Sequence, residues 1–144
     1  MATALAIPSF DSQLAKTFRA SRYAERMCGA HPELVTALRE TGTQPLTAGK
    51  IRSLLGDPGE AAPNSNEEEA FHARLRAVRR QAMVTIIFRD INHLGDFAEV
   101  VDTVSALAAE SLRAAQQFHT AVLAAKYALA ELSRARAPDR IERR

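Results

Sequence analysis

Apolar residues recur three and four positions apart along most of the chain, the spacing of one face of an α-helix, so the sequence predicts an all-α protein. Leu14 and Phe18, then Tyr23 and Met27, hold that spacing after Ser9, Asp11 and Ser12, and predict a first helical stretch that breaks at His31-Pro32. A proline fits the first turn of a helix because its missing N–H has no partner to find there. Pro32-Glu33-Leu34-Val35 therefore reads as a restart that Leu38 continues and Gly42 stops. Thr47 is placed to cap a short helix with Ile51, Leu54 and Leu55 on its face, and Gly56 to end it. Residues 1–56 thus read as a segment of short helices joined by tight turns.

Residues 57–66, DPGEAAPNSN, set two prolines and a glycine among small polar residues and predict a linker loop. Asn66 and Glu69 have capping-box spacing, and Glu67 and Glu68 suit the positive end of a helix dipole. Phe71, Leu75, Val78, Ala82 and Ile86 then mark one face of a long helix. On β-propensity alone 83–88, MVTIIF, also reads as a buried strand, but the cap and the unbroken periodicity favour a helix. That stretch is apolar nearly all round and needs neighbours on several sides. Apolar surface left over on this helix is expected to drive self-association.

After a turn at 92–95, Asp96 and Glu99 repeat the capping-box spacing as D-x-x-E. Val100, Val104, Leu107, Ser111, Ala115, Phe118, Val122, Ala125, Leu129 and Leu132 continue one face without Pro or Gly. They predict a helix over 97–132 of about 54 Å at ~1.5 Å per residue. Residues 67–132 are expected to form a long antiparallel helical hairpin, and 133–144 a polar tail. A helix that long outruns the cover a short chain can supply, so it must meet solvent, a partner or further polypeptide.

Composition narrows the chemistry. The chain has 144 residues, 25% of them charged, with a net charge of only +2 and alanine concentrated towards its C-terminal third, which favours helices. The single Cys28 excludes an internal disulfide framework and a multi-cysteine zinc site. His31, His72, His93 and His119 provide no i, i+4 ligand pair and no HExxH, and no Gly-rich phosphate loop or nucleophile elbow is present. The mildly apolar start lacks a basic leader region and does not read as a signal peptide. No run approaches the ~18 apolar residues of a membrane span. A soluble, cytoplasmic protein with no membrane partner is expected.

Two basic features need weighing. Arg74, Arg76, Arg79 and Arg80 form the densest cationic cluster, but Arg76 and Arg80 fall opposite the apolar stripe, where a solvated face is expected. Stacking aromatics are not interleaved with them and Glu67, Glu68 and Glu69 lie just upstream, so nucleic acid is not an expected partner. Arg89, by contrast, falls on the apolar face with Phe71, Leu75 and Val78. A buried guanidinium needs a carboxylate or carbonyls. A structural ion pair of Arg89 with Asp96, Glu99 or a carboxylate of the N-terminal helices is expected, since Asp90 points the other way. The competing reading, Arg89 as a phosphate or nucleotide contact, has no supporting glycines or carboxylate pair. No catalytic, cofactor-binding or metal-ligating residue is assigned.

The stretch 75–91, LRAVRRQAMVTIIFRDI, followed by Leu94-Gly95-Asp96-Phe97-Ala98-Glu99 and by Val104-Ser105-Ala106-Leu107-Ala108, resembles the N-terminal helical region of bacterial glutamine synthetase adenylyltransferases. That family shows an Arg-rich helix, a Met and an Ile, an aromatic-Arg-Asp triplet, a D-L-E-E-like helix start and an L-S-x-L-A stretch. Ser21-Arg22-Tyr23 and His31-Pro32-Glu33-Leu34 resemble its S-R-F/Y and H-P-E-L opening, so the likeness covers roughly 20–125. Two positions depart: Ala82 stands where relatives often carry Glu, and His93 where a turn Gly is common.

The resemblance implies a bifunctional nucleotidyltransferase of nitrogen metabolism that uses ATP and Mg2+ to adenylylate glutamine synthetase and removes the AMP again. It also implies a PII-type nitrogen-signal protein as a partner. The family's G-K-L-G-G and S-D-I-D elements, which hold the metal ions, do not occur in this sequence. The chain is therefore expected to be an N-terminal piece of such an enzyme, inactive alone and acting as a scaffold beside the rest of the nucleotidyltransferase. The alternative is a free-standing helical protein–protein interaction module.

Overall fold

The computed structural model describes residues 8–56 and 65–136, and within them the chain forms six α-helices and no strand. They are α1 (Phe10–Ala20), α2 (Arg22–Ala30), α3 (Glu33–Thr41), α4 (Ala48–Leu55), α5 (Ser65–Ile91) and α6 (Phe97–Arg136). Most of the predicted linker, 57–64, lies outside the described residues. Helix α5 already includes Ser65, so Asn66 sits in its first turn rather than at its cap.

The first predicted helical stretch is two helices. Ser21 leaves helical geometry with φ −136° and ψ 103°. Its N–H closes α1 on the carbonyl of Thr17 at 2.8 Å, while its hydroxyl accepts the N–H of Ala24 at 3.2 Å and opens α2. A serine competes well for backbone groups at a helix start, and here one residue ends one helix and begins the next. The apolar spacing runs on across the break because Leu14, Phe18, Tyr23 and Met27 all turn towards the same cluster.

Helix α5 is the axle of the fold, and two cores share it. On one side Val84 and Phe88 pack with Cys28, Leu34 and Leu38, so α1, α2 and α3 lie against its second half. On another side Phe71, Val78 and Ala82 meet Ile51 and Leu55 of α4 and Leu107, Ala114 and Phe118 of α6. The Phe71 and Phe118 rings stack with centroids 4.3 Å apart and pin the open end of the antiparallel α5–α6 hairpin. The segment 83–88 is helical, and cover arriving from both sides buries Val84, Thr85, Ile86 and Phe88 while Met83 and Ile87 stay half-buried.

The large hydrophobic side chains that are exposed among the described residues all lie on α6. Its buried positions are Thr103, Leu107, Glu110, Ala114 and Phe118, whereas Val104 and Leu112 are exposed, as are Phe97, Val101, Leu123, Tyr127 and Leu129. The face that packs is thus rotated by about one residue from a stripe drawn through apolar side chains alone, and it includes two polar groups. Helix α6 also reaches Arg136, four residues into the segment read as a polar tail. The first helix breaker after that point is Pro138. With 40 residues against 27, α6 overhangs α5.

Candidate functional site

The buried chemistry of this chain gathers where α5 turns into α6. Helix α5 ends in a Schellman motif: the N–H of Leu94 bonds the carbonyl of Arg89 at 2.9 Å and the N–H of His93 that of Asp90 at 3.1 Å. The motif needs a left-handed residue, and His93 supplies it with φ 55°, a conformation that glycine adopts more cheaply. Below the turn, the Asn92 amide nitrogen faces the carbonyl of Phe88 at 2.8 Å and the Thr17 hydroxyl at 3.0 Å, which ties the turn to α1.

Arg89 lies on the core side at the end of α5 and is buried. Its Nε and Nη2 donate to the two carboxylate oxygens of Glu99 at 2.5 and 2.9 Å. Nη2 also donates to the carbonyl of Leu94 at 2.6 Å, and Nη1 to that of Gly42 at 3.3 Å. One guanidinium therefore joins the end of α3, the α5–α6 turn and the first turn of α6. Such a planar fork spread over a carboxylate and carbonyls is the arrangement that makes a buried cation tolerable.

Asp96 has a different role from the one expected of it as a possible Arg89 partner. Its Oδ1 accepts the N–H of Glu99 at 2.9 Å and caps α6, while the Glu99 side chain turns away to Arg89. Half of a capping box has been traded for an ion pair. Gly95 makes room for that choice, since a Cβ there would lie 2.6 Å from the Glu99 carboxylate. Gly42 is similar, because a Cβ would meet the Leu38 carbonyl at 2.5 Å. With its fork engaged on protein groups, Arg89 is poorly placed to contact a nucleotide.

A second buried charge, on α6, escaped the sequence reading. Glu110 is buried against α4 and accepts from Arg52 Nε and Nη2 at 3.0 and 2.6 Å and from Arg113 Nε at 2.8 Å. Hydrogen bonds from Arg52, and then from Arg113, hold its carboxyl down from 4.5 to about 2. The signal available in the sequence was a glutamate on the wheel position between Leu107 and Ala114. Arg74, from the cationic cluster, donates Nη1 to the carbonyl of Leu55 at 3.2 Å and closes α4.

The remaining candidates behave as packing or surface groups. Burial pushes the Cys28 thiol up, away from the thiolate a nucleophile needs. His72 and His119 face each other across α5 and α6 with ring centroids 6.2 Å apart, a neighbourhood that sequence spacing could not show. Among the described residues no group of three or more His, Cys, Asp or Glu side chains could hold a metal ion. Among the same residues no helix is long and apolar enough to cross a membrane.

Fold and site together define an all-α chain whose buried charges lock its helices to one another. Residues 12–141 match the model of the glutamate-ammonia ligase adenylyltransferase family, and the chain belongs to that family. It is 31% identical over 107 residues to the bifunctional glutamine synthetase adenylyltransferase/adenylyl-removing enzyme of Aromatoleum aromaticum, a match covering 74% of this chain and 11% of that protein. The enzyme of the same name from Nitrosomonas europaea is 31% identical over 71% of this chain and 11% of its own length. That of Bordetella pertussis is 29% identical over 76% and 12%. The chain thus spans about a tenth of the length of these curated relatives. No solved structure matches it.

Proposed function

We propose that this chain is the N-terminal scaffold of a bifunctional enzyme that adenylylates and deadenylylates glutamine synthetase in the control of nitrogen assimilation. The observation that carries the reading is the family match over residues 12–141. In this reading ATP and Mg2+ are bound by the remainder of the nucleotidyltransferase. Glutamine synthetase and a PII-type signal protein are the partners of the whole enzyme, which works in the cytoplasm. The contribution of this chain is mechanical: α5, braced on both sides, and the fixed α5–α6 turn present a stiff helical layer to the catalytic core.

The purified chain, incubated with glutamine synthetase, ATP and Mg2+, is expected to transfer no AMP, and to remove none from adenylylated glutamine synthetase. Supplied in trans to a relative's enzyme lacking the matching segment, it is expected to restore thermal stability and turnover. Turnover by the chain alone, or no rescue by the folded chain, would overturn the scaffold role. The exposed apolar residues of α6, Val101, Val104 and Leu112 among them, favour a second reading as a free-standing interaction module. The genomic reading frame beyond Arg144 separates the two: G-K-L-G-G and S-D-I-D elements there favour the enzyme.

A further inference from the structure

Among the described residues, Arg76, Arg79 and Arg80 stand without a partner around an open groove. That groove, about 430 Å³ in volume, runs between α2 and α5 and is lined by Tyr23, Arg76, Arg79, Arg80, Met83 and Ile87. Arg76, Arg80, Met83 and Ile87 are spaced four, three and four apart, so they share one face of α5. This face is cationic towards the start of the helix and apolar towards its end. Arg52, Arg74, Arg89 and Arg113 all bond carboxylates or carbonyls. Arg76, Arg79 and Arg80 have no hydrogen bond or ion pair to any described residue, and no carboxylate lines the groove.

We propose that this groove docks an acidic segment of a partner protein, its carboxylates on Arg76, Arg79 and Arg80 and an aliphatic or aromatic side chain on Met83, Ile87 and Tyr23. Charge complementarity sets the sign of the occupant, and the apolar floor sets its class. Guanidinium groups read carboxylates through paired N–H donors, and a methionine adapts to varied apolar partners. A bare phosphate would use the arginines and leave the floor idle. A nucleic acid needs a longer basic track with stacking aromatics, and this one is bounded by Glu67, Glu68 and Glu69 at one end of α5 and Asp90 at the other.

The test is fluorescence anisotropy of the full 144-residue chain with a labelled peptide built only of Glu, Leu and Phe, at low salt. Saturable binding is expected, with none for the matching Gln, Leu and Phe peptide. The Arg76→Glu/Arg79→Glu/Arg80→Glu variant is expected to bind at least about tenfold more weakly, because like charges now face each other, with an unchanged melting midpoint. Ile87→Ser, or Met83→Gln should that variant not fold, is expected to weaken binding several-fold. Undiminished binding by the triple variant would overturn the proposal. So would loss through the arginines alone, which marks a bare charged patch. Displacement of the peptide by AMP, inorganic phosphate or an oligonucleotide at lower concentration would assign the groove to another occupant. An arginine-dependent dimer in sedimentation would assign it to a second copy of this chain.

Discussion

At the start of α6 a buried arginine meets a partly exposed carboxylate: the Arg89 side chain is 5% exposed and Glu99 25%. Three turns further on the arrangement is inverted, with the Glu110 side chain 9% exposed and its partners Arg52 and Arg113 at 52% and 36%. Both sites fasten α6 to the rest of the chain, yet they should respond differently to damage. Arg89 is held by two carbonyls as well as its carboxylate, and its removal strands a carboxylate and opens a three-way junction. Glu110 is held by two solvated cations that can return to water when it is lost. Burial of the cation therefore matters more here than the number of ion pairs.

The largest expected effect follows from that asymmetry. Arg89→Ala should cost about 3 kcal/mol, read as a lowered midpoint in thermal or urea melts. Arg89→Lys should recover only part of it, because a point charge cannot span Glu99 and the carbonyls. An Arg89→Ala protein with an unchanged midpoint would show that the junction carries no stability. Next comes Gly95→Ala, whose Cβ would press on the Glu99 carboxylate at 2.6 Å; overpacking of this kind costs roughly 1–3 kcal/mol. If Gly95→Ala melts like the parent, Glu99 is free to move away and the pair is looser than the geometry indicates.

Acid should act on the other site. The Glu110 carboxyl is held below its ordinary value of 4.5 to about 2. Its stabilising contribution is thus complete above the ordinary value and is lost as pH falls from there through about 2. Melts from pH 6 down to pH 2 should show a loss that Glu110→Gln flattens. An acid limb identical in the two proteins would mean that Glu110 is not held as the structure shows. The smallest effect is a gain: His93→Gly should relieve the left-handed φ of 55° in the Schellman turn and raise stability by less than about 1 kcal/mol. A destabilised His93→Gly would instead reveal a contact made by the imidazole.

The two sites also differ in how far they were legible. Arg89 stood out because a charge on an apolar stripe breaks the pattern, and burial physics then demands a partner. Choosing between Asp96 and Glu99 was beyond the pattern, because both suit a helix start and only the fold shows which one turns back. Glu110 is hidden from the sequence because the apolar residues of α6 trace a face through Val104 and Ser111, one position away from the buried Thr103 and Glu110. A polar residue can occupy a core position when a partner distant in sequence satisfies it, and Arg52 is 58 residues away. The break at Ser21 was hidden for a related reason, since both helices it joins keep one apolar register. The two-sided cover of α5, likewise, comes from helices on either side of the linker and has no signature in local periodicity.

Arg89 and Glu99 act as one unit that fixes the α5–α6 turn. A double-mutant cycle with Arg89→Ala, Glu99→Ala and the double variant, read by urea melts at neutral pH, measures that unit directly. The expected result is a coupling of about 2 kcal/mol or more, larger than the value from the same cycle on Arg52 and Glu110. Additive losses within about 0.5 kcal/mol, or a larger coupling at the Glu110 site, would contradict it.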